Sequence, residues 1–403
     1  QLLFQLLDGG EGKAGHRLAL LGVMNGGRAA GTIPSSNIHA SVYRNGLRLV
    51  PLLAHFADVG VMQMLEIKRE KKLHALGEMR LESGERLRNA RICYQVIGTP
   101  NRVRDNLVLI PSYYGGTHWG SLPLLGADGP LADGDYCVVL TNLFGAGWST
   151  SPSNAAPGQE GAGFPQVSLL DNVHAQKALL DRLFGDDWQL ALVSGWSMGG
   201  MQTLFWAMAY PERMRAILPF CCTARCWPHN RAFLEGVKAA LCADAAWLEG
   251  RYSVPPERGL RAFGRAYAGW AYSQAFYRHE LWRELGFESL EALLDYWEQD
   301  HLEQDANDLL CVLHTWQSAD PARSFGGGSL AEALGRIRAR AILMPGSSDL
   351  YFTVEDARHE AALIPGAELR VLESDWGHCA GGPGRSAPAM RQVFAAMAEL
   401  LGR

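Results

Sequence analysis

An α/β fold is what this sequence predicts: a mostly parallel sheet flanked by helices, with a helical lid inserted in it. Three observations predict it. Short continuous apolar runs alternate with helical patterns from about residue 78 onward. A G-x-S-x-G turn, Gly195-Trp196-Ser197-Met198-Gly199, stands between one such run and a helix. A helical, aromatic-rich stretch over residues 224–322 interrupts the alternation. Apolar runs bounded by turns mark strands buried on both faces, and strands alternating with helices imply right-handed crossovers between parallel neighbours.

The elements follow in chain order. Residues 1–77 hold Gly9-Gly10, Gly26-Gly27 and a Pro34-Ser35-Ser36-Asn37 turn, and read as an N-terminal extension of unassigned role. Within it, Met62 or Met64 is a candidate native start. The run Lys68-Arg69-Glu70-Lys71-Lys72 reads as the solvated face of a helix. Residues 78–87 and 90–96 form an expected hairpin that turns at Ser83-Gly84-Glu85. Residues 107–110 and 136–140 are expected buried strands. Residues 171–183 make a helix whose apolar face is Val173, Leu179, Leu180 and Leu183. A strand over 190–193 leads through the G-x-S-x-G turn into a helix over 201–210. Strands over 216–219, 341–344 and 369–372 and an amphipathic helix over 387–401 complete the pattern. The core is therefore split into residues 78–223 and 323–403, with residues 224–322 as the lid. The lid's aromatics, Trp227, Trp247, Trp270, Trp282, Trp297 and Trp316 with five tyrosines, read chiefly as its own packing core.

Composition bounds the function. The 403 residues are 48% hydrophobic and 20% charged, which excludes disorder of the whole chain. A net charge of -5 gives no bulk attraction to nucleic acid or to an anionic membrane. No apolar run approaches the ~20 residues that cross a bilayer. The run 18–24 ends at Asn25-Gly26-Gly27 without a small-residue cleavage site, so no signal peptide is expected. The eight cysteines lack paired spacing, as expected of reduced thiols in a cytoplasmic protein. Cys222, Cys226 and His229 match no closed zinc pattern and read as packing groups. Gly326-Gly327-Gly328 and Gly381-Gly382 lack the lysine of a phosphate loop. No metal or bound cofactor is expected.

The chemistry centres on Ser197. A strand–turn–helix context makes G-x-S-x-G a nucleophile elbow, a turn sharp enough to expose the serine hydroxyl above the sheet. Such a serine needs a base and a group that orients the base. His378 and Asp349 follow the last two strands in the order serine, acid, histidine, as in α/β-hydrolases. Asp375 is a rival acid, read as a turn residue because it precedes His378 by only three positions. His118 and His174 lack this placement and read as surface or satisfied partners. The expected oxyanion hole is the Met198 backbone N–H and that of Tyr113, in the loop after the strand 107–110.

These residues resemble the homoserine O-acetyltransferase family of α/β-hydrolase-fold enzymes, including its esterase-like members. The likeness covers about residues 78–403 and runs well beyond the elbow. It includes Leu81-Glu82-Ser83-Gly84-Glu85, Thr141-Asn142-Leu143-Phe144-Gly145, Phe164-Pro165-Gln166-Val167 and Asp171-Asn172-Val173. It continues through Ser197-Met198-Gly199-Gly200-Met201-Gln202, Ala224-Arg225, Asp305-Ala306-Asn307, Ser348-Asp349 and Gly377-His378. The resemblance implies a ping-pong mechanism through an acyl-Ser197, no bound cofactor, and a homodimer through the lid helices. It also aligns Lys238, near Tyr252, with a lid arginine that holds an amino-acid carboxylate. Lysine cannot make that planar bidentate pair, and Arg225 or Arg231 is the alternative guanidinium. Cys379 stands where the family commonly has an aspartate suited to an ammonium, and Trp196 where a small residue is usual. Lys238, Tyr252, Cys379, Trp196 and Arg225 are the candidate substrate-binding residues.

Three functions follow. The first is an esterase that cleaves small acyl esters with water as acceptor. The second is an O-acyltransferase that uses acyl-CoA as co-substrate and homoserine or another alcohol as acceptor. The third, an inactive binding module, is disfavoured because all three triad residues are present. The partner in either enzymatic case is a small molecule, with no nucleic acid and no membrane.

Overall fold

The structure, a computed structural model, describes residues 67–403. The expectations for residues 1–66, including the start at Met62 or Met64, lie outside the described residues.

A hairpin opens the fold, β1 (Lys72–Arg80) and β2 (Arg86–Ile97), followed by β3 (Leu107–Pro111) and β4 (Cys137–Thr141). Helix α1 (Leu169–Phe184), β5 (Leu190–Trp196), α2 (Met198–Ala209) and β6 (Met214–Phe220) come next. An all-helical excursion follows: α3 (Pro228–Cys242), α4 (Glu257–Ala271), α5 (Gln274–Arg278), α6 (Leu290–Leu302), α7 (Ala306–Gln317), α8 (Pro321–Ser324) and α9 (Leu330–Leu334). Strand β7 (Arg340–Leu343), α10 (Val354–Ala361), β8 (Glu368–Leu369) and α11 (Ala387–Leu401) return the chain to the sheet.

The strands form an eight-stranded sheet in the order β1-β2-β4-β3-β5-β6-β7-β8. Strand β2 runs antiparallel to both neighbours, and β3 to β8 are mutually parallel. Every residue of β3, β4 and β5 is buried, which is why these strands read as unbroken apolar runs. Because β5, β7 and β8 are parallel, the loops at their C-terminal ends open on one edge, where ligands of open α/β sheets bind. Helix α1 crosses from β4 to β5 and begins with a capping box. The Ser168 Oγ accepts from the Asp171 N–H at 3.1 Å, and Asp171 accepts from the Ser168 N–H at 2.8 Å. The other Asp171 oxygen accepts from the Glu82 N–H at 2.8 Å and so ties the hairpin turn to the helix.

Two expectations are corrected here. The basic run at 68–72 is not helical: it is extended and enters β1, with Lys72 opposite Tyr94. Its main chain is satisfied by tertiary partners. Gln95 accepts from the Glu70 N–H and donates to the Lys68 carbonyl, and the Glu70 carbonyl accepts from Trp119. The Lys71 ammonium lies 4.6 Å from the Trp148 ring centroid. The sheet therefore starts at Lys72 rather than at 78, and the hairpin strands end and begin at Arg80 and Arg86. The last strand is also shorter than expected, Glu368–Leu369, with Leu372 joining only through an isolated bridge to Gly346.

Between β6 and β7 the chain is helical, with α4 packed on α3 and α6. Tyr267, Tyr272, Phe263, Phe276 and Trp316 are buried within this layer. Among the described residues, no helix is long and apolar enough to cross a membrane. All eight cysteines are free.

Candidate active site

Ser197 sits between the end of β5 and the first residue of α2 with φ 56° and ψ −127°. This is strained for a residue with a side chain, and the neighbouring glycines make it geometrically possible. A Cβ on Gly195 would stand 2.4 Å from the Gly199 carbonyl carbon, and one on Gly199 would stand 2.6 Å from the Pro111 carbonyl oxygen. The Ser197 N–H donates to the Phe220 carbonyl at 3.0 Å, which pins the turn to β6. The serine side chain is thereby lifted off the helix it caps.

His378 lies in a short 3-10 turn, Gly377–Gly381, beyond β8, and Asp349 in the loop beyond β7. The His378 Nε2 is 2.9 Å from the Ser197 Oγ, and its Nδ1 is 2.7 Å from an Asp349 carboxylate oxygen. The other Asp349 oxygen accepts from the Tyr351 and Phe352 N–H groups at 2.8 and 3.2 Å. All three side chains are buried. The two loops are stitched together by Ser348, whose hydroxyl donates to the Ser374 carbonyl at 2.6 Å and accepts from the Gly377 N–H at 3.1 Å. In this line the carboxylate can hold a proton on Nδ1, leaving Nε2 to accept one from the serine.

The main-chain donors stand as a helix terminus and a neighbouring loop. Met198 supplies the first N–H of α2, where the helix dipole favours negative charge. The chain entering Tyr113 is held against that helix by Gln202, whose Nε2 donates to the Ser112 carbonyl at 2.9 Å.

Aromatic rings wall the histidine. Trp196 stacks on it with centroids 5.0 Å apart, and Tyr351 and Phe352 lie at 4.4 and 5.6 Å. Tyr113 meets the edge of Trp196 at 4.6 Å. From the helical segment between β6 and β7, Trp316 stacks on Phe352 at 5.4 Å and Tyr267 meets Tyr351 at 5.6 Å. Two aromatics of that segment thus reach the wall of the site as well as packing among its helices.

Of the candidate substrate-binding residues, the structure brings Trp196 and Cys379 to this cluster. Burial pushes the Cys379 thiol up, against the pull of the Arg385 guanidinium beside it. The other three have partners elsewhere in the fold. Lys238 is half-exposed on α3 and faces Glu235 at 3.8 Å. The Tyr252 hydroxyl donates to Asp305 at 2.7 Å and accepts from the Asn307 N–H at 3.2 Å, which fixes the start of α7. Arg225 pairs with Asp320 at 3.0 Å. Asp375, the rival acid, is exposed and faces His279 at 3.8 Å. His118 is buried between Asn142 and the Glu70 carbonyl, and His174 is 2.7 Å from the Tyr210 hydroxyl.

The cysteines of the sheet edge are packing groups in the structure. Burial pushes the Cys221 and Cys222 thiols well above their ordinary range, and the Cys226 Sγ donates to Asn230. Sequence reasoning missed Tyr351, Phe352 and Ser348 as positioning groups, although they adjoin Asp349.

The alpha/beta hydrolase fold matches residues 105–382 of the chain. The ethyl acetate hydrolase of Pseudomonas veronii is 36% identical over 330 residues, covering 81% of this chain and 94% of that protein. The crystal structure of an acetylester hydrolase from Corynebacterium glutamicum superposes with a TM-score of 0.79 at 35% identity, over 83% of this chain and 96% of that one. A homoserine O-acetyltransferase of Symbiobacterium thermophilum is 34% identical, covering 74% of this chain and 86% of its own length.

Proposed function

This chain belongs to the alpha/beta hydrolase fold family, and from that premise we propose that it is a serine esterase that hydrolyses small acyl esters. The observation that carries this is the hydrogen-bonded line from Ser197 through His378 to Asp349 on a strained elbow. His378 Nε2 takes the Ser197 proton as the Oγ attacks the ester carbonyl. The Met198 N–H, with that of Tyr113, receives the developing oxyanion. The tetrahedral intermediate expels the alcohol, which leaves with the proton from His378, and the acyl group stays on Ser197. Water then gives its proton to His378 and attacks the acyl-enzyme. The acid is released as that proton returns to Ser197. Asp349 stabilises the imidazolium in both halves.

Water as acceptor is favoured because the side chain following His378 is a buried neutral thiol, with no carboxylate to hold an amino-acid ammonium. The likeness to an ethyl acetate hydrolase and an acetylester hydrolase supports the same acyl class. A second reading, transfer from acyl-CoA to homoserine or another alcohol, is kept because a homoserine O-acetyltransferase is 34% identical. No bound cofactor enters either reaction, and acyl-CoA enters only the second, as co-substrate. The free thiols support a reducing, cytoplasmic setting. The homodimer through the helices between β6 and β7 rests on the family resemblance alone.

Purified protein is expected to cleave p-nitrophenyl acetate and butyrate, and Ser197→Ala to lose about 10⁴-fold or more of the rate. Equal rates for the two proteins would sink the esterase. Acceptor-dependent CoA release without ester cleavage would replace it with the transferase.

A further inference from the structure

Arg385 is the strongest feature that the mechanism above leaves unused. Its guanidinium lies 5.7 Å from the Trp196 ring centroid, and that indole stacks on His378. Its Nη1 donates to the Cys379 Sγ at 3.2 Å, and Cys379 follows His378 directly in the chain. Tyr113, Tyr272 and Tyr296 also face it. Among the described residues, no carboxylate pairs with it. A guanidinium stays charged, whereas the Cys379 thiol is held neutral by burial, so the pair leaves a positive charge uncompensated.

The backbone around it is shaped to admit it. A Cβ on Gly382 would stand 2.5 Å from the Arg385 Cδ, and one on Gly381 would stand 2.7 Å from the Trp196 ring. Side chains at either position would push the guanidinium or the indole away from His378. Three other arginines have acidic partners: Arg225 meets Asp320, Arg265 meets Glu298, and Arg370 meets Glu368 and Glu399, while Arg213 and Arg336 are satisfied by backbone carbonyls. A partly buried guanidinium beside the reacting centre, hydrogen-bonded to a thiol and paired with no carboxylate among the described residues, is suited to a carboxylate that arrives with the substrate.

We propose that Arg385, with Cys379, forms an anion subsite beside Ser197 and His378, and that the preferred ester carries a carboxylate. The inference rests on the esterase reading and adds the charge of its substrate. The carboxylate can belong to the acyl group or to the alcohol, and two pairs of esters distinguish these. Ethyl hydrogen glutarate against ethyl pentanoate reads the acyl side. 3-Acetoxypropanoate against butyl acetate reads the alcohol side.

Wild type is expected to favour the charged member of one pair. Arg385→Gln should lower kcat/KM for that ester by about 10- to 100-fold while its neutral analogue changes by less than about threefold, and Arg385→Lys should recover part of the loss. The neutral ester also reports that the variant is folded and its triad intact. Parallel losses on charged and neutral esters, or no preference in wild type, would overturn the subsite. If folded wild type cleaves none of the four, the esterase reading fails instead. Calorimetric titration of wild type and Arg385→Gln with succinate then decides the subsite. Tighter binding by wild type supports it, and equal binding removes it.

Discussion

A single methyl group at Gly199 would bring a carbon to 2.6 Å from the Pro111 carbonyl oxygen, where only backbone can give way. Gly199→Ala is therefore expected to cost about 1–3 kcal/mol of stability. It should also lower kcat/KM, because the strain is relieved by moving the elbow or the loop leading to Tyr113. Thermal melts and ester kinetics on the same preparation check both effects. At this scale the hydrogen-bonded line was legible. Ser197, Asp349 and His378 each follow a strand, so chain order and strand ends suffice to name them. Arg385 was not legible, because its meaning comes from Trp196, nearly two hundred positions earlier, and from the lack of an acidic partner.

Helix α1 and the hairpin illustrate what holds the elements together. Asp171 accepts from the Ser168 and Glu82 N–H groups, so one carboxylate both caps α1 and anchors the β1–β2 turn. Asp171→Ala is expected to lose about 1–2 kcal/mol, the upper part of the usual cost of a cap, because a second N–H, that of Glu82, loses its acceptor too. Urea denaturation of the two proteins measures it. The central strands were legible because burial on both faces leaves unbroken apolar runs. Strand β1 was not, since all of its residues are exposed or half-exposed and its charged lead-in imitates a helix face. Only the pairing to β2 and the reach of Gln95 make that segment extended.

Across the whole molecule, Glu360 joins the sheet's far end to the start of the helical segment after β6. Its carboxyl accepts from the Ala224, Arg225 and Trp227 N–H groups while wholly buried. Burial raises it from 4.5 to about 7, with the three hydrogen bonds opposing. Between those values the folded protein keeps a proton that the unfolded chain releases. The stabilising contribution is complete below about 4.5 and is lost as pH rises through about 7. That window amounts to roughly 3 kcal/mol. Glu360→Gln should flatten this part of the profile, which denaturation midpoints at a series of pH values relative to wild type would read.

The left-handed backbone at Ser197 has a consequence for the protein as an evolved object. Glycine occupies φ 56° and ψ −127° without a Cβ to clash, so Ser197→Gly should yield an inert protein that melts at a higher temperature than its parent, by the equivalent of about 1–3 kcal/mol. Selection for durability alone would drive that position towards glycine. A serine that persists there in a lineage is a record of continued use, and a drift to glycine would mark the point at which catalysis ceased to matter.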